Sequence, residues 1–178
     1  MTSLFEQRER NRGLIPYPER KHMQTIIAVD PGMSGGIAYS IDTNPSSPTA
    51  YGMPDTEGDI LDELKSIQRN SSSTPIAFIE QNTGFAGVKI PSHTMFKLGR
   101  NTGFLIGAMQ ALGFRIEPIT AKKWQEPLSL GTARSCASKT EWKNKLKAKA
   151  QQLYPHLKVT LQTADALLIL EYGRRMQK

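Results

Sequence analysis

Cysteine is all but missing from this chain. Cys136 is its only one, so no internal disulfide can form, and a reducing compartment is expected. Histidine is scarce too: His22, His93 and His156 lie far apart, without zinc-ligand spacing, and no zinc site is expected. No apolar run approaches the roughly 20 residues of a membrane span, and the first residues hold no apolar signal-peptide core. A soluble, cytoplasmic protein without membrane partners is expected. Acid is in deficit as well, with 16 Asp and Glu against 23 Lys and Arg, a net charge of +7. That balance suits a polyanionic partner. The excess is local: Lys122, Lys123, Arg134, Lys139, Lys143, Lys145, Lys147 and Lys149 face only Glu126 and Glu141 over the same stretch.

What is present organises as one domain, because 178 residues leave little room for a second core. Residues 1–23 are charged, hold two prolines and lack any sustained period, so a flexible extension is expected there, with the domain over 24–178. The stretch TIIAVDPGMSGGIAYSI (25–41) carries the first chemical signal. Its apolar run reads as a strand buried on both faces and closing on Asp30, and the glycines after it permit a hairpin into a second strand. A turn-capping Asp is the plain alternative. A third strand, PTAYGMP, completes a meander. Ile60, Leu61, Leu64 and Ile67 then fall at helical spacing before PIAFIEQ, a fourth buried strand that closes on Glu80.

A strand reached through a helix returns parallel to its sheet. Asp30 and Glu80 are therefore expected side by side at one sheet edge, where open α/β sheets bind ligands. A long helix follows with Met95, Phe96, Leu98, Phe104, Leu105, Ile106, Met109 and Leu112, and with Gly99, Gly103 and Gly107 every four residues. Such a stripe suits close helix packing, within the chain or across a two-fold axis. FRIEPI is the fifth strand, Thr120 caps a short helix, and Ser138 with Glu141 reads as the capping box of a basic helix. The last helix is expected to start at Thr163, with Asp165 in its first turn and so held ionised. Trp124 and Trp142 read as packing residues.

Three acids from separate elements, Asp30, Glu80 and Asp165, suit hard cations such as Mg²⁺, with Mn²⁺ substituting. Two ions about 4 Å apart can activate a water and stabilise a leaving 3′ oxygen in phosphodiester cleavage.

The blocks IIAVDPGMSGGIAYS, AFIEQ, MFKLGRNTGFLIGAMQALGF, ITAKKWQ and TADALLILEYG, in this order, resemble the RuvC-like Holliday junction resolvases of the RNase H (retroviral-integrase-like) superfamily. The likeness runs from residue 25 to about 175. It implies an α/β RNase H-like fold with a five-stranded mixed sheet flanked by helices. It also implies a homodimer that nicks two opposed strands of a four-way DNA junction with Mg²⁺ and no nucleotide cofactor. Carried over, Asp30, Glu80 and Asp165 are the family's first, second and last acids. The family's fourth acidic position falls on Gln162, a departure: the second ion is held more weakly, water takes that place, or the chain is an altered one. Lys143 is the candidate at the scissile phosphate, with Lys139 and Lys123 as alternatives. Phe85 stands where the family wedges an aromatic into the junction, and Lys89 and Lys122 are further DNA-contact candidates. The actin-like ATPases and sugar kinases share the D-x-G opening but need a second phosphate loop and a second domain. A junction-binding protein without activity is the rival of another class, and a broader nuclease for flaps and Y-forks the rival of the same fold. The short build suits a bacterial or phage source and a place at the nucleoid.

Overall fold

The central strands are the two that the apolar runs single out, β1 (Ile26–Asp30) and β4 (Ile76–Glu80), paired in parallel with Val29 opposite Ile79. The computed structural model describes residues 24–42, 44–81 and 91–177. On one side β1 pairs antiparallel with β2 (Gly36–Ser40), which pairs with β3 (Thr49–Gly52). On the other, β4 pairs in parallel with β5 (Arg115–Ile119), giving the five-stranded order β3-β2-β1-β4-β5. Pro118, which can donate nothing to a ladder, sits in β5, an edge strand, as its chemistry requires.

Side chains alternate across a strand, so each central strand feeds two cores. Ile27, Val29, Ala77 and Ile79 face one core with Ile60, Leu64 and Ile67 of α1 (Glu57–Asn70) and Leu105 and Met109 of α2 (Ser92–Ala111). Ile26, Ala28, Ile76 and Phe78 face the other. There they meet Trp124 of α3 (Ala121–Gln125), Trp142 and Leu146 of α4 (Lys139–Leu153), and the apolar run of α5 (Leu161–Met176). Fully burying each such aliphatic side chain contributes about 1.5–3 kcal/mol, so the strand runs alone anchor the sheet.

The helix ends follow local chemistry. Thr56 caps α1 by accepting from the Asp59 N–H at 3.1 Å, and Glu57 and Asp59 complement the dipole of its first turn. Ser138 caps α4 by accepting from the Glu141 N–H. The Glu141 carboxylate, expected to return to the cap residue, takes the N–H of Ala137 one residue earlier at 2.8 Å.

The start of α5 corrects the sequence expectation. Thr160 is the cap and Thr163 the third helical residue, their side chains and N–H groups bonded reciprocally. The helix thus begins at Leu161, and no acid lies in its first turn. Asp165 stands in the second turn, where burial among neighbours governs it more than the helix end does. The glycine stripe also departs from packing within the chain. Gly99, Gly103 and Gly107 are exposed, and a Cβ at any of them meets nothing of the described residues within 4 Å. No helix of the described residues is long and apolar enough to cross a membrane.

Candidate functional site

The alternation that builds the two cores also aims the acids. Asp30 shares its strand face with Ile26 and Ala28, and Glu80 shares its face with Ile76 and Phe78, so both carboxylates point to the α5 side of the sheet. Because β1 and β4 are parallel, both sit at the same carboxyl edge. Helix α5 brings the third. Gly173 lets it lie close on the sheet: a Cβ there would stand 2.6 Å from the Phe78 ring and 3.1 Å from Ile26 Cγ2. From Gly173 back to Asp165 the helix rises about 12 Å. From Ile26 forward to Asp30 the strand advances about 13 Å. The two lengths agree, so a helix antiparallel to β1 delivers Asp165 to the edge where Asp30 and Glu80 stand.

The turn after β1 leaves little freedom. Gly32 adopts φ +106°, and a Cβ at Gly35 would fall 2.0 Å from the carbonyl oxygen of Asp30. The Asn101 side-chain oxygen accepts from the Gly32 N–H at 2.8 Å, fastening the turn to α2. A cleft of about 820 Å³ opens above the acids, floored by Asp30, Glu80 and Asp165 and walled by Lys139 and Lys143 of α4 and His93 and Lys97 of α2. Lys139 and Lys143 are four residues apart on one helix and share a face.

Each acid has a distinct setting. Lys143 Nζ donates to Asp165 Oδ2 and forms an ion pair with it, while Asp165 Oδ1 is buried without a hydrogen-bond partner among the described residues. Glu80 Oε2 accepts from the indole N–H of Trp124 at 2.9 Å. Burial, then the charges of Glu80 and Asp165, push the Asp30 carboxyl up to about 7, with Lys143 partly offsetting them. Glu80 is raised as well, by burial and by Asp165, against the opposing pull of the Trp124 bond and Lys143. Burial alone would lower the Lys143 ammonium, but Asp165, Asp30 and Glu80 outweigh it and raise it, so the lysine stays charged.

Among the described residues no group of three His, Cys, Asp or Glu stands as a preformed metal cage. The donors nevertheless fit a hard divalent cation. Three carboxylates from three elements repel one another at one edge, and a buried oxygen of Asp165 lacks a hydrogen-bond partner among the described residues. An ammonium, Lys143, is the positive charge that now meets them.

The other expected residues scatter. The Gln162 amide lies against Gly52 of β3, within 2.9 Å of where a Cβ there would stand, and Gln162 does not line the cleft. Lys122 and Lys123 are exposed on α3 and also lie off the cleft, Lys123 beside a separate depression with Arg115 and Glu117. Phe85 and Lys89 lie outside the described residues. His93 figures in the sequence only as a scattered histidine without zinc-ligand spacing, and Lys97, Asn101 and the donor role of Trp124 have no counterpart there. A fixed i, i+4 spacing of His93 and Lys97 was available in the sequence, but not the edge that α2 would reach.

No protein-family model matches the chain, and no curated protein does. Among solved structures it is similar to Thermus thermophilus RuvC in complex with a Holliday junction substrate, with a TM-score of 0.56 at 10% identity over 86% of this chain and 96% of that one. Thermus thermophilus RuvC in a further structure gives 0.54 at 13% identity over the same shares. The fold is therefore RuvC-like: an α/β, RNase H-like, five-stranded mixed sheet flanked by helices.

Proposed function

We propose that this chain is a structure-selective endodeoxyribonuclease that resolves four-way DNA junctions by paired, Mg²⁺-dependent nicking. The observation that carries the reading is the convergence of Asp30, Glu80 and Asp165 beside Lys143 on the floor of a lysine-walled cleft. It stands on a fold shared with a RuvC whose structure holds a Holliday junction substrate.

Asp30, Glu80 and Asp165 would hold the cations, Mg²⁺ or in substitution Mn²⁺, two per site. Such ions supply Lewis acidity toward a phosphodiester and lower the pKa of a bound water. The chain's own residues do the rest. Lys139, Lys97 and His93 line the route of a phosphate backbone into the cleft, and Lys143 offers its ammonium to charge that develops on the reacting phosphate. The turn from Asp30 to Gly36, tied down by Asn101, keeps the Asp30 carboxylate from drifting as the strand enters. A neutral Gln162 over Gly52 plays no part in this set as packed.

Paired nicking of a symmetric junction requires two sites related by two-fold symmetry. Phe96 is 71% exposed and shares one face of α2 with Gly99, Gly103 and Gly107, all open to close approach by a partner. This face supports a homodimer.

The test is incubation with labelled four-way junctions, three-way junctions, flaps, Y-forks and linear duplex DNA, with and without Mg²⁺. Opposed nicks in the four-way junction alone, lost in EDTA, are expected. Equal cutting of linear duplex, or cutting that ignores Mg²⁺, overturns the reading. Cutting of flaps and Y-forks at the same rate identifies the broader nuclease.

A further inference from the structure

Trp124 is buried to 1% exposure in the core beneath the cleft, where any large apolar side chain could fill the volume. Its indole carries one N–H, a donor with no acceptor capacity, and this donor is spent on a carboxylate. The bond to Glu80 Oε2 is 2.9 Å long. The backbone is held from the same side, because the N–H of Gln81, one residue on, donates to the carbonyl of Ile119 at 2.7 Å. Ile119 ends β5, and Trp124 follows five residues later in α3. One continuous stretch, residues 119–124, thus holds the Glu80 side chain through Trp124 and the amide of the next residue, Gln81, through Ile119.

We propose that Trp124 is a positioning residue for Glu80, holding Oε2 toward the core so that Oε1 is the oxygen Glu80 offers to the cleft. The inference rests on the reading of the cleft as a cation-dependent nuclease site. A glutamate has rotatable bonds enough to swing away from Asp30 and Asp165, whose charges repel it, and the indole N–H supplies the restraint. A residue present only for packing would need no donor.

The test uses two proteins and Mg²⁺ alone, without DNA. Trp142→Phe leaves Trp124 as the sole tryptophan, and Mg²⁺ binding is followed by calorimetry and by tryptophan emission, excited beyond the tyrosine band, together. The emission is expected to change saturably over the range where calorimetry records binding. Glu80→Gln in that background is expected to abolish the emission change. Trp124→Phe in the parent chain is expected to weaken Mg²⁺ binding about tenfold, the lower range for losing an outer partner of a metal ligand. Calorimetric binding with unmoved Trp124 emission overturns the proposal alone, as does a folded Trp124→Phe protein that binds Mg²⁺ as tightly as the parent. Should Trp124→Phe fail to fold, the emission titration, with Trp124 intact, decides. A parent that binds no Mg²⁺ by calorimetry overturns the reading of the cleft, and this inference falls with it.

Discussion

Asp30→Asn should make the cation-free protein more stable above neutral pH while disarming the site. The folded chain binds the Asp30 proton more tightly than the unfolded chain does, since its carboxyl is raised from 3.8 to about 7. Between those values the native state carries more protons than the unfolded one, so stability falls as pH rises. The stabilisation is complete below about pH 4 and is lost through pH 7. At about 1.4 kcal/mol per pH unit the interval bounds the effect at about 4 kcal/mol. Asp30 is partly solvent-exposed at the cleft floor, and screening reduces that bound to roughly 1–3 kcal/mol. Urea denaturation in EDTA at pH 4 and pH 8, on parent and variant, measures it. The variant should match the parent at pH 4 and exceed it at pH 8 by that amount, a difference of several degrees in Tm. Mg²⁺ should then stabilise the parent and leave the variant unmoved. A variant no more stable than the parent at pH 8 would show that the burial and repulsion argued for this edge do not act on Asp30.

Lys143→Met should cut junction cleavage by about a hundredfold or more, as removal of one preorganised charge from a reacting centre commonly does, and single-turnover rates at saturating Mg²⁺ test it. It should also shift the rise of activity with pH to higher pH, because Lys143 is the group that lowers Asp30. Lys97→Glu combined with Lys139→Glu should flatten the salt dependence of junction binding, whose log–log slope is about −0.9 per phosphate neutralised on duplex DNA. An unchanged slope would remove both cleft walls from the DNA path. Gln162→Ala should leave the Mg²⁺ requirement of cleavage unchanged, since its amide packs on Gly52 and off the cleft. Gly103→Leu should fold normally, there being no atom of the described residues within 4 Å of the new Cβ, but where light scattering is expected to show a dimer for the parent it should show a monomer for the variant.

The strands and their acids were legible because period-2 burial and chain topology are local rules. An apolar run ending in Asp30, a helix, and a second run ending in Glu80 are enough to place two carboxylates on one edge. The walls of the cleft were not legible. His93 and Lys97 reach it through the placement of α2, which Leu105 and Met109 pack on the sheet and Asn101 ties to the Gly32 turn, a contact 69 residues apart in sequence. Trp124 was readable as core from its type, yet its bond to Glu80 depends on where a five-residue helix leaves β5. Lys122 and Lys123 carry the right charge on a helix whose outer face turns from the cleft, and composition has no means of telling the two faces of so short an element apart.

Asp165 is the instructive case, because it lines the cleft although the helix does not start where the sequence led one to expect. The expected start at Thr163 put it within reach of the helix dipole, which would have held it ionised by itself. The Thr160 and Thr163 pair closes the cap three residues earlier, a reciprocal arrangement built from two threonines where the familiar signal is a glutamate. That shift moves Asp165 out of the first turn and turns Gln162 onto β3. What faces Asp165 instead is Lys143 of α4, four residues after Lys139 on the face of that helix that lines the cleft. The charge that matters to the last acid thus comes from the neighbouring helix and not from its own. The basic segment and the acid at the head of α5, read separately in the sequence as DNA contact and metal ligand, are one ion pair in the structure. Any anion or cation entering the cleft must compete for one half of it.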